Sequence, residues 1–470
     1  MEIHIDLTGT RGHRDAIYRQ LRAAILAGRI RPGEALPPTR ELAQRLAVSR
    51  TTVSAAYDRL TAEGFLAGRV GAGTFVTASP ARPEPVPDVP GVQPLPEWDT
   101  MPAPPAPFAP APEFDFRPGV PDLTRFPFDT WRRLVTQRLR AGQADLMTYG
   151  DPQGHASLRA EIARHVGVSR DVRAAAAQVV VTAGAQQTTD LVARVLLRHG
   201  DLAAVEDPGY PPPRLVLTAR GVRVAPVPVD ESGIVVDAIP AGTRLVYVTP
   251  SHQYPLGLSM SLERRLELLD WAERNDAVIV EDDYDTEFRY TGRPLEPLHS
   301  LDSRGRVVYV GSFSKVLSPA LRLGFLVAPP SLVPALVKAR YLTDWHAPNV
   351  EQAALAAFMA EGGFARHVRR MRKVYRVRHE LLSELLVRDF ADVLMPLPST
   401  AGLHLSAASD FDAGPLVKAA RRHGVRLYSL GDFSVGERRH GLGFGYGAVA
   451  AARIEPGLAR LRALVDEGAA

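Results

Sequence analysis

The chain contains no cysteine, and this absence removes three kinds of chemistry at once. Without a thiol the protein has no disulfide, no thiolate metal ligand and no cysteine nucleophile. The sequence also lacks a run of about 18 apolar residues, the length that a membrane-spanning helix needs. Its first residues, 1–6, include acidic side chains and do not form the apolar core of a signal peptide. We therefore expect a cytoplasmic protein with no membrane partner.

Lysine is almost as scarce, since the 470 residues include only Lys315, Lys338, Lys373 and Lys418. The last three lie in stretches with helical periodicity, which is typical of a solvated helix face. Lys315 instead ends the segment Gly311-Ser312-Phe313-Ser314-Lys315, which follows an apolar, β-branched run at 306–310. A lysine held there can form a Schiff base with an aldehyde cofactor such as pyridoxal 5′-phosphate. An ordinary surface lysine is the alternative at this point.

Length and charge predict more than one domain. A chain of 470 residues is long enough for two or three cores. Residues 1–78 contain 11 arginines and seven acidic residues, so the whole formal charge of +4 lies in this first sixth. A basic module on a neutral body favours a polyanionic partner, and a solvated basic surface is the alternative.

The first module has the pattern of three helices followed by a glycine-rich hairpin. Apolar periodicity predicts helices at about 15–27, 40–46 and 50–63, with Thr39 and Ser49 as N-caps of the second and third. Two short strands are expected around the glycines of 69–76. This order predicts a winged helix-turn-helix. Its third helix begins Ser49-Arg50-Thr51, and the start of such a recognition helix enters the major groove of DNA.

Three strings in this module resemble the GntR family of bacterial regulators. They are Leu36-Pro37-Pro38-Thr39-Arg40-Glu41-Leu42-Ala43, Val48-Ser49-Arg50-Thr51-Thr52-Val53 and Glu63-Gly64-Phe65-Leu66. The resemblance implies contacts with double-stranded operator DNA. The residues implied are Arg40, Ser49, Arg50, Thr51 and the wing residue Gly71.

A proline-rich stretch separates this module from the rest. Thirteen prolines lie among the 33 residues from Pro80 to Pro112, a composition that excludes regular helix or sheet. In polyproline form such a tether reaches on the order of 100 Å. We interpret it as a linker between independently folded parts, with a proline-rich ligand as the minor alternative.

Beyond Phe114, short apolar runs alternate with helical segments, which predicts an α/β fold with a mostly parallel sheet. The strands are predicted at 179–181, 202–205, 244–248, 277–280, 306–310 and 323–327. Functional residues are expected at the carboxyl ends of such strands. Small residues at 182–188 offer backbone N–H groups to a phosphate. Glu281-Asp282-Asp283 offers a carboxylate to a cation, and its spacing does not repeat as an Asp-rich metal site would.

The body resembles a fold-type I, class I/II aminotransferase from about Phe114 onward. With the first module, the chain is identified as a member of the MocR subfamily of GntR regulators. The strings that carry this resemblance are residues 248–255, 281–288 and 311–315. It implies a GntR-type DNA-binding domain at 1–78, a linker at 79–113 and a pyridoxal-phosphate domain at 114–470. That domain has a large part at about 149–345 and a small part at 114–148 plus 346–470.

The resemblance also implies a role for each residue of the site. Lys315 is the Schiff-base lysine, Asp282 pairs with the pyridine nitrogen, Tyr284 bonds the phenolic oxygen and Tyr210 stacks on the ring. The phosphate is contacted by Ala185, Gln186, Ser312, Ser314 and Arg322. Tyr149 matches a tyrosine that reaches the partner subunit's site, which implies a homodimer. No metal is implied.

The chain departs from the aminotransferase pattern where substrate carboxylates bind. No arginine directly precedes Leu442-Gly443-Phe444, and three prolines separate Tyr210 from Arg214. A bidentate carboxylate clamp is not visible. The sequence therefore favours a regulator that senses pyridoxal phosphate or an amino compound. A working aminotransferase carrying a DNA-binding module is the alternative, so catalysis stays open.

Overall fold

The computed structural model describes residues 5–7, 12–69, 71–77, 91–103, 112–140, 142, 144–292 and 296–469. It divides into two compact units, a head at Met1–Leu95 and a body at Pro96–Ala470. The predicted finer boundaries at 78, 113, 148 and 345 stay predictions. Much of the predicted linker, at 79–90 and 104–111, lies outside the described residues.

The head consists of three helices and a two-stranded hairpin. They are α1 (His13–Leu26), α2 (Thr39–Arg45), α3 (Arg50–Ala62), β1 (Leu66–Arg69) and β2 (Gly73–Val76). One apolar cluster joins the helices, with Leu21, Val53 and Leu60 fully buried. The antiparallel register pairs Leu66 with Val76 at the base of the hairpin. This is the winged helix-turn-helix that the sequence predicts.

The two predicted helix caps have different outcomes. Ser49 accepts a hydrogen bond from the backbone N–H of Thr52 at 3.1 Å, so it is the N-cap of α3 as predicted. The prediction for Thr39 is wrong, because Thr39 is already the first helical residue and Pro38 precedes it at the cap position. The fixed φ of proline sets this helix start where a side-chain cap was expected.

One described turn interrupts the proline-rich region. Pro96–Thr100 forms a 3₁₀ turn, in which Thr100 donates to the carbonyl of Glu97 at 2.7 Å. The expectation that no helical structure forms in this region is therefore wrong for these five residues. The segment around Trp98 has fewer prolines than its flanks, which leaves backbone donors for one turn.

The body has eleven helices and fourteen strands in its described residues. The helices are α4 (Phe128–Arg138), α5 (Ala156–Arg170), α6 (Ala185–Leu196), α7 (Pro211–Ala219), α8 (Leu262–Arg274), α9 (Leu298–Leu301), α10 (Val333–Asp344), α11 (Asn349–Ala360), α12 (Gly363–Phe390), α13 (Gly414–Arg422) and α14 (Ala451–Leu464). The strands are β3 (Phe114–Asp115), β4 (Val179–Thr182), β5 (Leu202–Asp207), β6 (Arg223–Asp230), β7 (Gly233–Ile234), β8 (Thr243–Val248), β9 (Val278–Asp283), β10 (Val307–Ser312), β11 (Gly324–Val327), β12 (Met395–Pro396), β13 (His404–Ala408), β14 (Val425–Arg426), β15 (Tyr428–Ser429) and β16 (Gly441–Gly445).

Eight strands form the large sheet in the order β4-β11-β10-β9-β8-β5-β6-β7. The five central strands, from β10 to β6, are parallel, whereas β11 runs antiparallel to both of its neighbours. Continuous apolar runs such as Val307–Val310 are buried because helices cover both faces. All six predicted strands are present, and the α/β fold with a mostly parallel sheet is confirmed.

A smaller lobe packs beside the large sheet. Its four strands have the order β12-β13-β16-β15, and β14 pairs with β3 near the start of the body. The long helix α12 buries Met371, Tyr375 and Leu382 in a cluster shared with this lobe. No helix among the described residues is both long and apolar enough to span a bilayer.

Candidate functional site

Six segments meet at one edge of the large sheet. The parallel strands β5, β8, β9 and β10 all end there, and each is followed by polar residues. Strand β11 runs the other way, so Arg322, which precedes it, lies at the same edge. This topology brings together side chains that are up to 140 residues apart in the sequence.

Asp282 lies at the end of β9 with one oxygen bound and one unbound. Its Oδ2 accepts a hydrogen bond from the hydroxyl of Tyr247, and its buried Oδ1 has no partner among the described residues. Burial raises the pKa of Asp282 to about 7, although the Tyr247 hydrogen bond opposes that rise. A buried oxygen without a donor costs about 1–3 kcal/mol. The site therefore fits a ligand that brings an N–H to this atom.

Lys315 follows β10 and is half-buried against the start of the body. Its amine has no hydrogen-bond partner among the described residues, and burial lowers its pKa while Asp285 and Asp282 oppose that effect. Gly119, with φ at +75°, lies over the amine, and a Cβ at this position would be 2.9 Å from Nζ. A lysine with a lowered pKa is a better nucleophile near neutral pH.

The N-terminus of α6 offers backbone donors beside this lysine. The first helical residues are Ala185 and Gln186, and no side chain caps the helix. Their N–H groups therefore have no partner within the helix. Gly184 and Gly324 touch closely, since a Cβ on Gly324 would be 2.8 Å from the Gly184 Cα atom. This contact brings β11 and the turn before α6 together and leaves a concave set of donors.

Two hydroxyls and one guanidinium complete the donor set. Ser312 and Ser314 flank the turn before Lys315, where the backbone N–H of Ser314 donates to the Ser312 hydroxyl at 3.1 Å. Arg322 has a left-handed backbone and an exposed side chain. Within the described ranges its guanidinium has no hydrogen-bond or ion-pair partner. Backbone N–H groups, hydroxyls and an arginine form a typical phosphate site.

Aromatic rings line the other side of the pocket. Tyr254 is 5.3 Å from Tyr210, 5.1 Å from Phe433 and 6.1 Å from Tyr284, measured between ring centroids. Burial raises the pKa of Tyr210 to about 12. The Tyr284 hydroxyl donates to the carbonyl of His252 at 2.8 Å, so its proton is not directed at the centre of the pocket. The predicted contact of Tyr284 with a ring oxygen stays a prediction.

Gln253 is occupied by its own loop. Its amide donates to the carbonyls of Pro208 and Tyr254, at 2.8 and 2.7 Å, and lies 3.4 Å from the carboxylate of Glu206. Glu206 also accepts from the Thr249 hydroxyl at 2.6 Å, and burial raises its pKa to about 7. The amide therefore braces the loops after β5 and β8, and Tyr254 is the residue of this string that faces the rings.

Two buried histidines and an aspartate lie behind Tyr284. Nδ1 of His252 is 3.0 Å from Asp285, and Asp285 also accepts from the backbone N–H of Leu403 at 3.0 Å. The ring of His404 is 4.5 Å from that of His252. Ligand atoms of His252, Asp285 and His404 lie within 4.8 Å of one another, a spacing that the linear sequence does not reveal. The hydrogen bonds of Asp285 hold the small lobe against β9.

A loop of the small lobe closes over the pocket. Asp207, the last residue of β5, accepts hydrogen bonds from the backbone N–H groups of Val435 and Gly436 at 2.8 and 2.9 Å. The N–H of Gly209 donates to the carbonyl of Phe433 at 3.1 Å. These contacts bring the Phe433 ring onto Tyr254. Sequence reasoning missed Asp207, Tyr247 and Gly119, because each acts through a contact with a distant segment.

Tyr149 lies apart from the pocket of its own chain. Its side chain is 72% exposed and stacks on Trp345, with ring centroids 4.3 Å apart. Met147, Tyr341 and Leu342 are also largely exposed. The structure therefore does not bring Tyr149 to Lys315 within one chain. A group of exposed apolar side chains of this kind is typical of a protein interface.

The predicted DNA-contacting residues of the head are all exposed. Arg40 lies on α2, Ser49, Arg50 and Thr51 lie at the start of α3, and Gly71 lies in the turn of the hairpin. The hydroxyls of Ser49 and Thr51 are 2.7 Å apart. The start of α3 thus presents one arginine and two hydroxyls to the outside, while its opposite face is buried.

These groups fit pyridoxal 5′-phosphate in three separate places. The unpartnered Oδ1 of Asp282 suits a protonated ring nitrogen, the uncapped start of α6 suits a phosphate, and the free amine of Lys315 suits an aldehyde. Tyr210 and Tyr254 provide planar rings between them. No single contact specifies the cofactor, but the three donor and acceptor types match it together.

Comparison with known families assigns both units. Residues 120–405 match the family described as "Aminotransferase class I and II", and residues 13–76 match "Bacterial regulatory proteins, gntR family". The chain is 39% identical to the probable rhizopine catabolism regulatory protein MocR of Rhizobium meliloti, over 95% of this chain and 92% of that protein. It is 34% identical to the pyridoxine biosynthesis regulator PdxR of Corynebacterium glutamicum, over 92% and 91%.

Solved structures resemble the body. A kynurenine aminotransferase of Pyrococcus horikoshii has a TM-score of 0.70 and 25% identity, covering 75% of this chain and 90% of its own. The α-aminoadipate aminotransferase LysN of Thermus thermophilus has a TM-score of 0.69 and 29% identity, covering 75% and 92%. The body therefore has the fold of class I and II aminotransferases.

Proposed function

Because the chain belongs to the MocR-type regulators of the GntR family, we propose that its body binds pyridoxal 5′-phosphate to sense a small molecule. The chain is a DNA-binding transcriptional regulator with an aminotransferase-like domain. The observation that carries the proposal is the alignment of Lys315, the unpartnered Asp282 oxygen and the uncapped start of α6 at one sheet edge. The cofactor, when bound, supplies an electrophilic aldehyde and an electron-withdrawing ring.

The residues of this chain then have distinct tasks. Asp282 accepts the ring N–H and is itself held by Tyr247, which fixes the direction of the free oxygen. Ala185 and Gln186 donate backbone N–H groups to the phosphate, together with Ser312, Ser314 and Arg322. Lys315 carries the amine that attaches to the aldehyde, and its lowered pKa keeps part of that amine unprotonated.

The pocket wall suggests the class of effector. The neighbours of Tyr254 are the rings of Tyr210, Phe433 and His404, not a guanidinium. Arg438 and Arg439 are exposed, and Arg439 donates to the carbonyl of Val229 at 2.7 Å. A carboxylate clamp is thus absent from the described part of this wall. We infer that the effector is the cofactor itself or an amino compound whose recognition does not depend on an arginine fork.

Coupling to DNA requires the effector to favour one arrangement of the chain over another. The loop that Asp207 holds over the pocket is the element that an occupant of the pocket contacts first. An occupant that displaces Phe433 would break those hydrogen bonds. We propose that this loop reports occupancy of the site to the rest of the molecule.

An active aminotransferase is the second candidate. The observation in its favour is that Lys315, with no hydrogen-bond partner in the described chain and a lowered pKa, is also suited to proton transfer. The aromatic wall without an arginine argues against steady turnover of amino acids. Steady production of a keto acid from any amino acid would favour this candidate over the sensor.

A homodimer would bring Tyr149 of one subunit to the pocket of the other. The exposure of Tyr149, with Met147, Tyr341 and Leu342 around it, supports such an interface. We propose that the regulator is a dimer in the cytoplasm, where its operator lies. Two heads in one dimer would then bind two half-sites of that operator.

Replacing Lys315 by alanine tests the cofactor assignment. Wild-type protein loaded with pyridoxal phosphate should show the visible absorption band of the lysine-linked cofactor, and Lys315→Ala should lack it. Lys338→Ala is the matched control, because Lys338 is an exposed lysine on α10. A band that persists in Lys315→Ala would contradict the assignment.

Replacing Arg50 tests the head separately. Arg50→Ala should weaken operator binding by about 1–3 kcal/mol, because a base-contacting arginine is lost, and should leave the visible band unchanged. The measurement is DNA affinity on a fragment selected from genomic DNA by the wild-type protein. Unchanged affinity would contradict the placement of α3 in the groove.

A further inference from the structure

The outer face of α12 carries an uninterrupted group of cations. From Gly363 to His379 the helix has no acidic residue. We define the α12 basic face by six exposed side chains: Arg366, Arg369, Arg370, Arg372, Lys373 and Arg376. They extend over ten residues, which is about 15 Å along the helix axis.

Most of these cations have no partner. In the part of the chain that the structure describes, Arg366, Arg369, Arg372 and Lys373 form no side-chain hydrogen bond and no ion pair. The inward-facing Arg378 of the same helix differs, because it donates to Asp122 at 2.5 Å and to the carbonyl of Gly447 at 2.6 Å. The helix therefore neutralises its buried arginine and leaves its outer ones unneutralised.

This arrangement opposes the stability of the helix itself. Seven pairs of these cations are three or four residues apart, the spacing at which like charges repel on a helix surface. A solvated surface helix commonly alternates its charges and thereby avoids the repulsion. Retaining one sign over 15 Å is explained by an anionic partner that relieves it.

The chemistry of the face favours duplex DNA. Five of its six cations are arginine in a chain whose forked guanidiniums suit phosphate oxygens. About 15 Å of duplex carries roughly nine phosphate charges on its two strands. A lipid surface is disfavoured, because α12 buries its apolar face, with Met371, Tyr375 and Leu382, inside the body. We propose that the α12 basic face binds the phosphate backbone of DNA beyond the site that the heads recognise.

The test compares two duplexes that contain the same recognition site. The site is taken from genomic fragments that the full chain selects; one duplex is trimmed to that site and the other has random flanks of several helical turns. The variant is Arg366→Gln/Arg369→Gln/Lys373→Gln. The control is Lys418→Gln/Arg421→Gln/Arg422→Gln, which removes three exposed cations from α13.

The salt dependence of affinity should separate the two. On the long duplex, the plot of log affinity against log salt should be less steep for the α12 variant by roughly 0.9 per lost phosphate contact. On the trimmed duplex, both variants should bind like the wild type. An unchanged slope on the long duplex, or an equal change in the control, would overturn the proposal and leave the face to an acidic protein.

The inference rests on the DNA-binding function of the heads but fails separately from it. If wild-type protein does not bind the trimmed duplex, the function of the heads is contradicted. If it binds the trimmed duplex and the α12 variant keeps the wild-type slope on the long one, only the role of α12 is contradicted. The visible absorption band of the cofactor should be the same in all three proteins.

Discussion

At the scale of single residues, Asp282 shows how burial and charge combine in this site. One oxygen is bound by Tyr247, and the other is buried without a donor. Sequence reasoning located Asp282, because carboxylates at the end of an apolar strand need a cation. It did not find Tyr247, because a tyrosine inside a strand is indistinguishable from a core residue until the neighbouring strand is known.

The pKa of Asp282 predicts a pH dependence of the cofactor-free protein. Burial raises this pKa from 3.8 to about 7, so the folded state retains a proton that the unfolded chain has released. Stability should therefore fall as the pH rises from about 4 to 7 and then level off, by up to about 4 kcal/mol from this group. Asp282→Asn should remove that part of the dependence.

Denaturant unfolding of the cofactor-free proteins at several pH values measures this effect. Glu206 and Glu281 also have pKa values raised by burial to about 7, and both proteins keep them. The difference between wild type and Asp282→Asn therefore isolates Asp282. Equal losses of stability in the two proteins between pH 5 and 8 would contradict the assignment.

At the scale of elements, strand ends were predictable and the lobe contacts were not. The six predicted strands are present because long apolar runs between turns specify buried strands. Strand β6 was missed, because Arg223–Asp230 includes two prolines and alternates buried with exposed positions near the edge of the sheet. The loop at 433–436 has no pattern of its own, so only the fold reveals its contact with Asp207.

Asp207→Ala should release this loop from β5. Two backbone N–H groups lose a charged acceptor, and hydrogen bonds to charged groups contribute about 1.5–3 kcal/mol each when buried. Since Val435 and Gly436 are exposed, we expect a smaller total and cofactor loss that is about tenfold faster. The rate is measured from the decay of the visible band after dilution.

Asp207→Asn is the control for this prediction. It keeps one acceptor oxygen in the same place and should retain part of the slow rate. Cleavage of the chain near residues 434–437 by a protease should increase in Asp207→Ala and less in Asp207→Asn. Equal cofactor release from all three proteins would contradict the role of the loop.

The cap of the recognition helix gives a prediction confined to the head. Ser49→Ala removes the hydroxyl that accepts from the Thr52 N–H, which should destabilise the head by about 1 kcal/mol. Thr39→Ala is the matched control, because Thr39 is not a cap and should cost less. Thermal unfolding of the full chain, followed at the transition of the head, measures both. A larger loss in Thr39→Ala would contradict this reading of the two caps.

At the scale of the whole molecule, the predicted dimer can be tested by mixing subunits. Tyr149→Phe and Lys315→Ala each impair a different part of a shared site, if Tyr149 acts on the partner subunit. A mixture of the two variants should then regain up to one intact site per mixed dimer, seen as recovered wild-type spectral response to the effector. The Lys315→Ala and Tyr210→Phe mixture is the control, since both residues belong to one chain's site.

The dimer was suggested only by resemblance, and the single chain explains why. The interior of the body follows from its apolar pattern, but an exposed group such as Tyr149, Tyr341 and Leu342 is explained only by a surface outside the chain. The same holds for the α12 basic face. In both places the sequence contains residues whose purpose is not satisfied by the folded chain itself.

The scarcity of lysine makes the molecule its own chemical map. An amine-reactive mass tag can modify only four side chains, of which Lys338, Lys373 and Lys418 are exposed and Lys315 is half-buried in the pocket. Protection of Lys315 then reports the cofactor, and protection of Lys373 reports the polyanion. Lys338 and Lys418 serve as internal standards in the same digest, so one labelling experiment monitors both ligands at once.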